Sequence, residues 1–144
     1  NEQTAGELEK RIRDQWLKEG SPSTIVLLRK GMRDLASHDL GAALDDFDSA
    51  LVLEPDFIEA FHRRALARFE AGNMAGALAD LQETLRRQPR HFMALQSLSK
   101  IAEARSDWAG AIAAIKKCLD FDPQTPCGAE RLKMLEAKGK GQAL

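Results

Sequence analysis

The chain has 144 residues, of which 44% are hydrophobic and 30% are charged, and this size and balance fit one globular domain. Its formal net charge of −1 provides no basic field to hold nucleic acid, so we expect no nucleic-acid partner. No apolar run approaches the ~20 residues that a membrane-spanning helix needs, so we expect no membrane span.

A charged helical segment opens the chain over residues 5–20. Gly20 suits the end of this helix, and Ser21 with Pro22 supplies an N-cap and a first-turn proline for the next helix. An apolar residue recurs at every fourth position of the segment, which predicts a single buried stripe formed by Leu8, Ile12 and Trp16.

Three pairs of amphipathic helices follow, and a proline closes each pair. The central pair is the clearest, because the apolar residues of its second helix follow the i, i+3, i+4, i+7, i+11 pattern of one buried face: Met74, Ala77, Leu78, Leu81 and Leu85. The pattern predicts the six helices at 22–37, 41–54, 57–71, 75–88, 91–105 and 108–121. One more helix is expected over 126–138, with Leu132 and Leu135 as its apolar contacts and a flexible tail at 139–144.

The helix pairs recur with a period of 34 residues. The same residue type returns at Ala43, Ala77 and Ala111, and again at Pro55, Pro89 and Pro123. Apolar residues return at Leu40, Met74 and Trp108, at Leu44, Leu78 and Ile112, and at Phe47, Leu81 and Ile115. A helix–turn–helix unit with this period is the signature of the tetratricopeptide repeat, and the chain resembles that family over about residues 24–125. The second helices and the closing prolines carry the match, whereas the first helices lack the tyrosine that the family favours.

The resemblance implies an all-α, right-handed solenoid that forms a single domain. Its three full repeats would occupy 24–57, 58–91 and 92–125. The helix over 5–20 aligns with the second helix of a degenerate repeat, and it would cap the first repeat. The helix over 126–138 would cap the last one, because end repeats need a polar outer face.

The family also implies a binding site, since the first helix of each repeat lines a concave groove. We expect a partner protein or peptide to bind there, on positions Leu28, Arg29, Met32, Leu35, His62, Arg63, Leu66, Phe69, Gln96 and Lys100. The apolar residues of repeats 1 and 2 would contact an apolar or amphipathic segment, and Arg29 and Arg63 would orient carboxylates or carbonyls. Two alternatives to this expectation remain open at this point. The first is that some of these apolar residues belong to the core. The second is that the N-terminal helix folds back over the groove.

One binding mode of the family is disfavoured by the residues present. Members that clamp the acidic C-terminal tails of chaperones use lysine, asparagine and arginine at five positions of the groove. The matching residues here are Leu28, Met32, Arg63, Met93 and Ser97, of which only Arg63 is basic. We therefore do not expect a two-carboxylate clamp.

No catalytic constellation is visible in the sequence. None of the histidines His38, His62 and His91 stands at a metal-ligand spacing from another histidine or a carboxylate, and nucleotide-binding and nucleophile motifs are missing. His91 is expected to cap a helix or to contact the neighbouring chain. The acidic cluster of Asp45, Asp46 and Asp48 lies on a helix, where it predicts a solvated face. We expect a non-catalytic protein without cofactor or metal.

The cysteines and a closer resemblance bear on the cellular compartment. The spacing of Cys118 and Cys127 favours two reduced, mostly buried thiols, with a single disulfide as the alternative. The chain begins at Asn1 rather than at a methionine, so we expect it to be either a processed protein or a recombinant piece, and without a signal peptide it does not show export directly. The stretches Arg63-Arg64-Ala65 and Pro89-Arg90-His91-Phe92 resemble small bacterial proteins of this repeat type, many of them exported and of undefined function. This favours the periplasm over the cytoplasm.

A second functional hypothesis is self-assembly into a homo-oligomeric scaffold. Acidic residues cluster around the second helix of repeat 1, at Asp45, Asp46, Asp48, Glu54, Asp56 and Glu59. Basic residues cluster at the junction of repeats 2 and 3, at Arg86, Arg87, Arg90 and His91. Complementary patches at different places on one molecule favour head-to-tail contacts. Scattered surface charge that only keeps the protein soluble is the simpler alternative.

Overall fold

The computed structural model describes residues 2–18, 20–124 and 128–143. Within these ranges every regular element is a helix, and each of the predicted helices is present, most of them within about two residues of the expected bounds. The helices are α1 Glu2–Lys18, α2 Pro22–Ala36, α3 Leu40–Leu53, α4 Ile58–Glu70, α5 Met74–Arg87, α6 Phe92–Ala104, α7 Trp108–Phe121 and α8 Gly128–Ala143. None of the helices in these ranges has both the length and the apolar composition that crossing a membrane requires.

The chain forms two compact units. One unit comprises Arg11–Pro89, and it contains the second part of α1 together with α2, α3, α4 and α5. The other comprises Asn1–Lys10 and Arg90–Leu144, and it contains the first part of α1 together with α6, α7 and α8.

The turn inside each helix pair has the same backbone geometry, repeated every 34 residues. A positive φ of 62°, 84° and 57° ends the first helix, at His38, Gly72 and Ser106. The next amide donates to the carbonyl five residues earlier at 2.8 Å, as from Asn73 to Arg68, which is the bond that defines a Schellman turn. The same residue then caps the second helix by accepting from the amide three residues on, and the three caps are Asp39, Asn73 and Asp107. The sequence period is therefore also a period of backbone geometry.

The core of the unit Arg11–Pro89 is built around the Phe47 ring. Phe47 on α3 is fully buried, and its ring lies against the backbone of α2 at Gly31. The residues at the two matching positions of each repeat vary together in size, with the smallest opposite the largest. The pairs are Gly31/Phe47, Ala65/Leu81 and Ser99/Ile115. Side-chain volume is thus conserved across the helix pair, as a close-packed interior requires.

We expect Gly31→Ala to destabilise the protein, although alanine normally stabilises a helix relative to glycine by about 1 kcal/mol. A Cβ at residue 31 would lie 2.5 Å from a carbon of the Phe47 ring, which cannot retreat because it is fully buried. Overpacking of this kind costs about 1–3 kcal/mol, measured as the free energy of unfolding in urea. Gly41→Ala on α3 is the control, because a Cβ there meets nothing within 4 Å. Equal stabilisation by both changes would contradict the packing described.

Ion pairs join the two helices of repeats 1 and 2 at matching positions. In repeat 1 the Lys30 Nζ lies 3.2 Å from both carboxylate oxygens of Asp46. In repeat 2 Arg64 binds Asp80 through two parallel bonds of 2.9 and 2.8 Å, and Arg68 adds a third bond of 3.0 Å. Asp46 and Asp80 are both buried. The prediction that the acidic cluster of α3 is a solvated face is therefore wrong for Asp46, whose burial raises the pKa of its carboxyl.

In the unit that contains α6, α7 and α8, buried side chains form hydrogen bonds between helices. The Ser99 hydroxyl donates to the Ala111 carbonyl at 2.9 Å, and the Cys118 thiol lies 3.6 Å from the Phe92 carbonyl oxygen, so both bonds link α6 to α7. His91 caps α6 by accepting from the Ala94 amide at 3.0 Å, as the sequence predicts. Cys118 is buried, and Cys127 lies outside the described residues.

The helix α8 packs against α7, and Leu135 is fully buried as expected. Glu103 on α6 accepts from Arg131 at 2.9 Å and from Lys138 at 3.0 Å, which fixes α8 to α6 as well. The flexible tail predicted at 139–144 is wrong for most of its length, because α8 continues to Ala143.

The helix α1 buries a different stripe from the predicted one. Leu8 is 53% exposed, whereas Ala5 is buried and Ile12 is half-buried. The prediction that Leu8 belongs to the buried stripe is therefore wrong. The side chain of Trp16 lies outside the described residues.

Candidate functional site

The predicted groove residues of repeats 1 and 2 lie on α2 and α4, two helices of the unit Arg11–Pro89 that contact each other. Because the repeat period is 34 residues, each residue on α2 has a counterpart at the same position of α4. The pairs along this face are Arg29 with Arg63, Met32 with Leu66, and Leu35 with Phe69. One cationic pair therefore stands beside two apolar pairs.

The structure corrects the part of the prediction that concerns repeat 1. Leu28 is fully buried in the core cluster with Ala43 and Phe47, so its assignment to the groove is wrong. Met32 and Leu35 are half-buried and pack against the same cluster. The alternative that some of these apolar residues belong to the core is thus correct for Leu28 and partly correct for the other two.

A buried polar cluster occupies the first two turns of α4. Glu59 and His62 each expose 1% of their surface, and the carboxylate of Glu59 lies 3.1 Å from the His62 Nδ1. The same carboxylate accepts from the Arg63 Nε at 2.9 Å. Glu59-x-x-His62 places the two side chains on one helix face, so the expectation that no histidine stands at such a spacing from a carboxylate is wrong. His62 is also too deeply buried to offer the contact surface predicted for it.

Four of the predicted residues in this unit keep an accessible surface and do not pack against the Phe47 cluster. Arg29 is exposed and forms no ion pair with any described residue. Leu66 and Phe69 are half-buried, and neither belongs to the core cluster around Phe47. Arg63 keeps 13% of its side chain exposed, and its bond to Glu59 sets the direction of its guanidinium. Apolar area therefore remains available on adjacent helices, together with one cation that has no ion-pair partner in the described part of the chain.

The predicted residues of repeat 3 lie on α6, in the other compact unit. Gln96 is half-buried and Lys100 is exposed. Both side chains are polar, as the sequence indicates.

Several shifted pKa values belong to contacts between or along helices. Hydrogen bonds from Arg86 and Arg87 lower the pKa of Glu83 to about 2. Hydrogen bonds from Ser21 lower the pKa of Glu54, which ties the start of α2 to the end of α3.

Comparison with known proteins assigns the family. No protein-family model matches the chain. A TPR repeat-containing protein of Rhizobium etli is 30% identical to it over 137 residues, which cover 95% of this chain and 67% of that protein. The chain belongs to the tetratricopeptide repeat (TPR) proteins. The resemblance that the 34-residue period indicated is therefore confirmed.

Solved TPR domains share the fold. The Sgt2 TPR domain from Aspergillus fumigatus has a TM-score of 0.79 at 20% identity, covering 86% of this chain and 83% of its own. The first TPR of Spaghetti (RPAP3), solved with the HSP90 peptide SRMEEVD, has a TM-score of 0.73 at 18% identity, covering 79% of this chain and 90% of its own. The predicted fold class, an all-α fold of tetratricopeptide repeats, is confirmed.

Proposed function

We propose that this TPR protein is a non-catalytic interaction module, and that the face formed by α2 and α4 binds a segment of a partner protein. The observation that carries the proposal is the accessible apolar surface of Leu66 and Phe69, with the exposed Arg29, which pairs with no described residue, on the adjacent helix. Packing of one repeat on the next does not explain why these three side chains keep accessible surface. The solved TPR of Spaghetti, which holds a peptide, supports a role of this kind.

The chemistry of the face favours a segment that combines aliphatic side chains with a carboxylate. Leu66 and Phe69 offer dispersion contacts and apolar area, and Arg29 offers a guanidinium that can bind a carboxylate through two bonds. Arg63 contributes less charge, because Glu59 already accepts from it at 2.9 Å. Binding should therefore weaken as salt rises, since an exposed arginine is screened.

The second hypothesis, a head-to-tail scaffold held by opposite charges, receives less support. Many of its charged residues already have partners within their own unit. Asp56 accepts from Arg87 at 2.7 Å, and Asp48 accepts from Arg64 at 3.0 Å. Arg86 is paired with Glu83. Side chains engaged in this way would have to break existing bonds before they could bind another molecule.

The binding face is tested by affinity capture followed by measurement of the affinity for each captured partner. We expect Leu66→Glu combined with Phe69→Glu to weaken binding by tenfold or more, because about 1.4 kcal/mol of apolar contact corresponds to a factor of ten. Arg29→Glu should weaken the same interaction, and its effect should shrink at high salt.

The matched control is Ala75→Glu combined with Ala79→Glu, which adds the same charges at exposed positions of α5. This variant should bind as the wild type does. Thermal melting of every variant distinguishes loss of binding from loss of the fold. Retention of all partners by a folded Leu66→Glu, Phe69→Glu variant would overturn the proposed face.

A further inference from the structure

The carboxylate of Glu59 is buried at a position where the other repeats carry an apolar side chain. Its counterparts are Ile25 in repeat 1 and Met93 in repeat 3. Glu59 exposes 1% of its surface, and a charged residue is rarely buried to this extent unless it is paired. Because apolar side chains serve at the matching positions, packing of the repeats does not require a carboxylate here. The contacts of this carboxylate therefore indicate its role.

These contacts fix one side of the Arg63 guanidinium. The Oε1 atom of Glu59 accepts from the Nε of Arg63 at 2.9 Å and lies 3.1 Å from the Nδ1 of His62. Glu59 and His62 are both buried, so the acceptor oxygen has a defined position. A side chain that is held by packing and by a hydrogen bond to a buried neighbour keeps one orientation. Arg63 is therefore oriented by Glu59 before any ligand arrives.

The two terminal nitrogens of Arg63 remain available to a ligand. Neither of them bonds to a described residue, and neither is a buried atom without a partner, so both keep accessible surface. A guanidinium held at Nε presents its terminal nitrogens as a planar fork, which matches the two oxygens of a carboxylate. Leu66 lies three residues further along α4, on the same side of the helix. The fork is thus about one helical turn from an accessible aliphatic side chain.

Arg29 has the same position on α2 but lacks a contact of this kind. The residue four positions before it is Ile25, which cannot accept a hydrogen bond. Arg29 is exposed, and its guanidinium pairs with no described residue. An exposed arginine loses side-chain entropy when a ligand orders it, whereas an arginine already held at Nε loses less. Arg29 therefore supplies charge to the face, and Arg63 supplies direction.

We propose that Glu59 is a positioning residue, which aims the Arg63 fork so that it binds a carboxylate of the partner segment end-on. This proposal rests on the proposed function of the α2–α4 face and specifies how that face selects its ligand. The carboxylate accepts from both terminal nitrogens of Arg63, and an aliphatic side chain of the same ligand contacts Leu66. The corresponding amide binds more weakly, because it has no charge and presents a donor in place of one oxygen.

Nuclear magnetic resonance of the arginine side chains tests the positioning without any partner. In the wild-type chain the Nε–H group of Arg63 should be ordered on the picosecond to nanosecond time scale, whereas that of Arg29 should be mobile, with an order parameter below about 0.6. Glu59→Met combined with His62→Gln gives this part of α4 the two residues of repeat 3, so the fold should be retained. In this double variant Arg63 should become as mobile as Arg29.

The selection of the ligand is measured with N-acetyl-leucine and its amide, titrated into the labelled chain at constant ionic strength. Ligands this small should bind in the millimolar range. The acid should shift the signals of Arg63 and Leu66, and the amide should bind about tenfold more weakly. Arg63→Lys keeps the charge but has no fork, so it should lose much of the preference for the acid. The double variant of Glu59 and His62 should lose it too.

Two further variants separate positioning from a structural role. Glu59→Gln keeps an oxygen that can accept from the Nε of Arg63, so it should retain the order of that side chain and most of the preference for the acid. The matched control is Glu70→Met combined with His38→Gln. It makes the same two replacements in an exposed pair of the same unit, whose atoms are 3.3 Å apart, and it should change neither quantity. Urea unfolding of each variant confirms that the fold is retained.

An Arg63 side chain that is as mobile in the wild type as an exposed arginine would overturn the proposal. An acid that leaves the Arg63 signal unshifted, or that binds no better than its amide, would overturn it too, and so would an unchanged preference in the folded double variant of Glu59 and His62. Each of these outcomes leaves the binding face itself standing. That face fails only if the captured partners ignore Leu66→Glu combined with Phe69→Glu, so the two failures are distinguishable.

Discussion

Ala77→Glu is expected to destabilise the protein by about 4 kcal/mol or more, which is a large part of the 5–15 kcal/mol that typically stabilises a domain. Ala77 is fully buried on α5, and its counterparts Ala43 and Ala111 are also fully buried. The methyl group fills a position where two helices approach closely. A glutamate there would have to carry an unpaired charge or a neutral carboxyl group into a space that has no room for it.

Urea unfolding followed by circular dichroism measures this effect. The control is a glutamate at Ala75 or Ala79, two exposed alanines on the same helix, which should change the free energy of unfolding by at most about 0.5 kcal/mol. All three variants place a glutamate on the same helix. The difference between their free energies of unfolding therefore reports burial, separately from helix propensity and net charge. A midpoint that Ala77→Glu leaves unchanged would contradict the packing of α5.

The arrangement of the helices could be predicted from the sequence because its signals are local and repeated. Apolar residues at helical spacing define the buried face of α5, where Ala77 and Leu81 are indeed fully buried. The turn residues are equally local, since a Schellman turn and an N-cap depend on a few adjacent residues. Each signal occurs three times at a 34-residue interval, so an error in one repeat is corrected by the other two.

The candidate site was harder to predict, because its residues lie at the border between two faces of a helix. Residues four apart on a helix differ in direction by only about 40°, so Leu28 and Met32 look equivalent in the sequence. In the structure Leu28 shares its stripe with Thr24 and Gly31, all buried, whereas Met32 remains partly accessible. Which of the two is covered depends on a neighbouring helix that helical periodicity does not reveal.

The residues of α1 that are buried could not be predicted for a similar reason. Its stripe of Leu8 and Ile12 specifies a helix but not the surface that the helix contacts. The stripe that the structure buries includes Ala5, a small residue that gives little hydrophobic signal.

The ion pairs between helices leave a signal in the sequence that becomes visible only when the repeats are aligned. Lys30 and Asp46 are 16 residues apart and lie on different helices, so neither helical spacing nor charge clustering connects them. Comparison of the repeats does connect them, because Arg64 and Asp80 take the same positions in repeat 2. In repeat 3 both members change together, to Leu98 and Ala114.

Asp80→Ala is therefore expected to destabilise the protein strongly. Asp80 is buried and accepts from both Arg64 and Arg68, so its removal leaves two partly buried guanidinium groups without their shared carboxylate. Breaking a fully buried pair costs about 3–5 kcal/mol, and the remaining exposure of both arginines reduces the expected loss here to about 2–3 kcal/mol. Urea unfolding again provides the measurement.

Arg64→Leu combined with Asp80→Ala should restore most of that loss, because repeat 3 already has leucine and alanine at these positions. Replacing both members of a buried ion pair by apolar residues removes the desolvation cost together with the attraction, and the net change is often small. The four free energies of a double-mutant cycle give the coupling between the two residues directly. Arg64→Leu alone should also destabilise the protein, because it leaves the buried Asp80 carboxylate with Arg68 as its remaining partner and removes the 3.0 Å bond to Asp48. A double variant as unstable as the sum of the singles would show that the repeats do not tolerate the exchange.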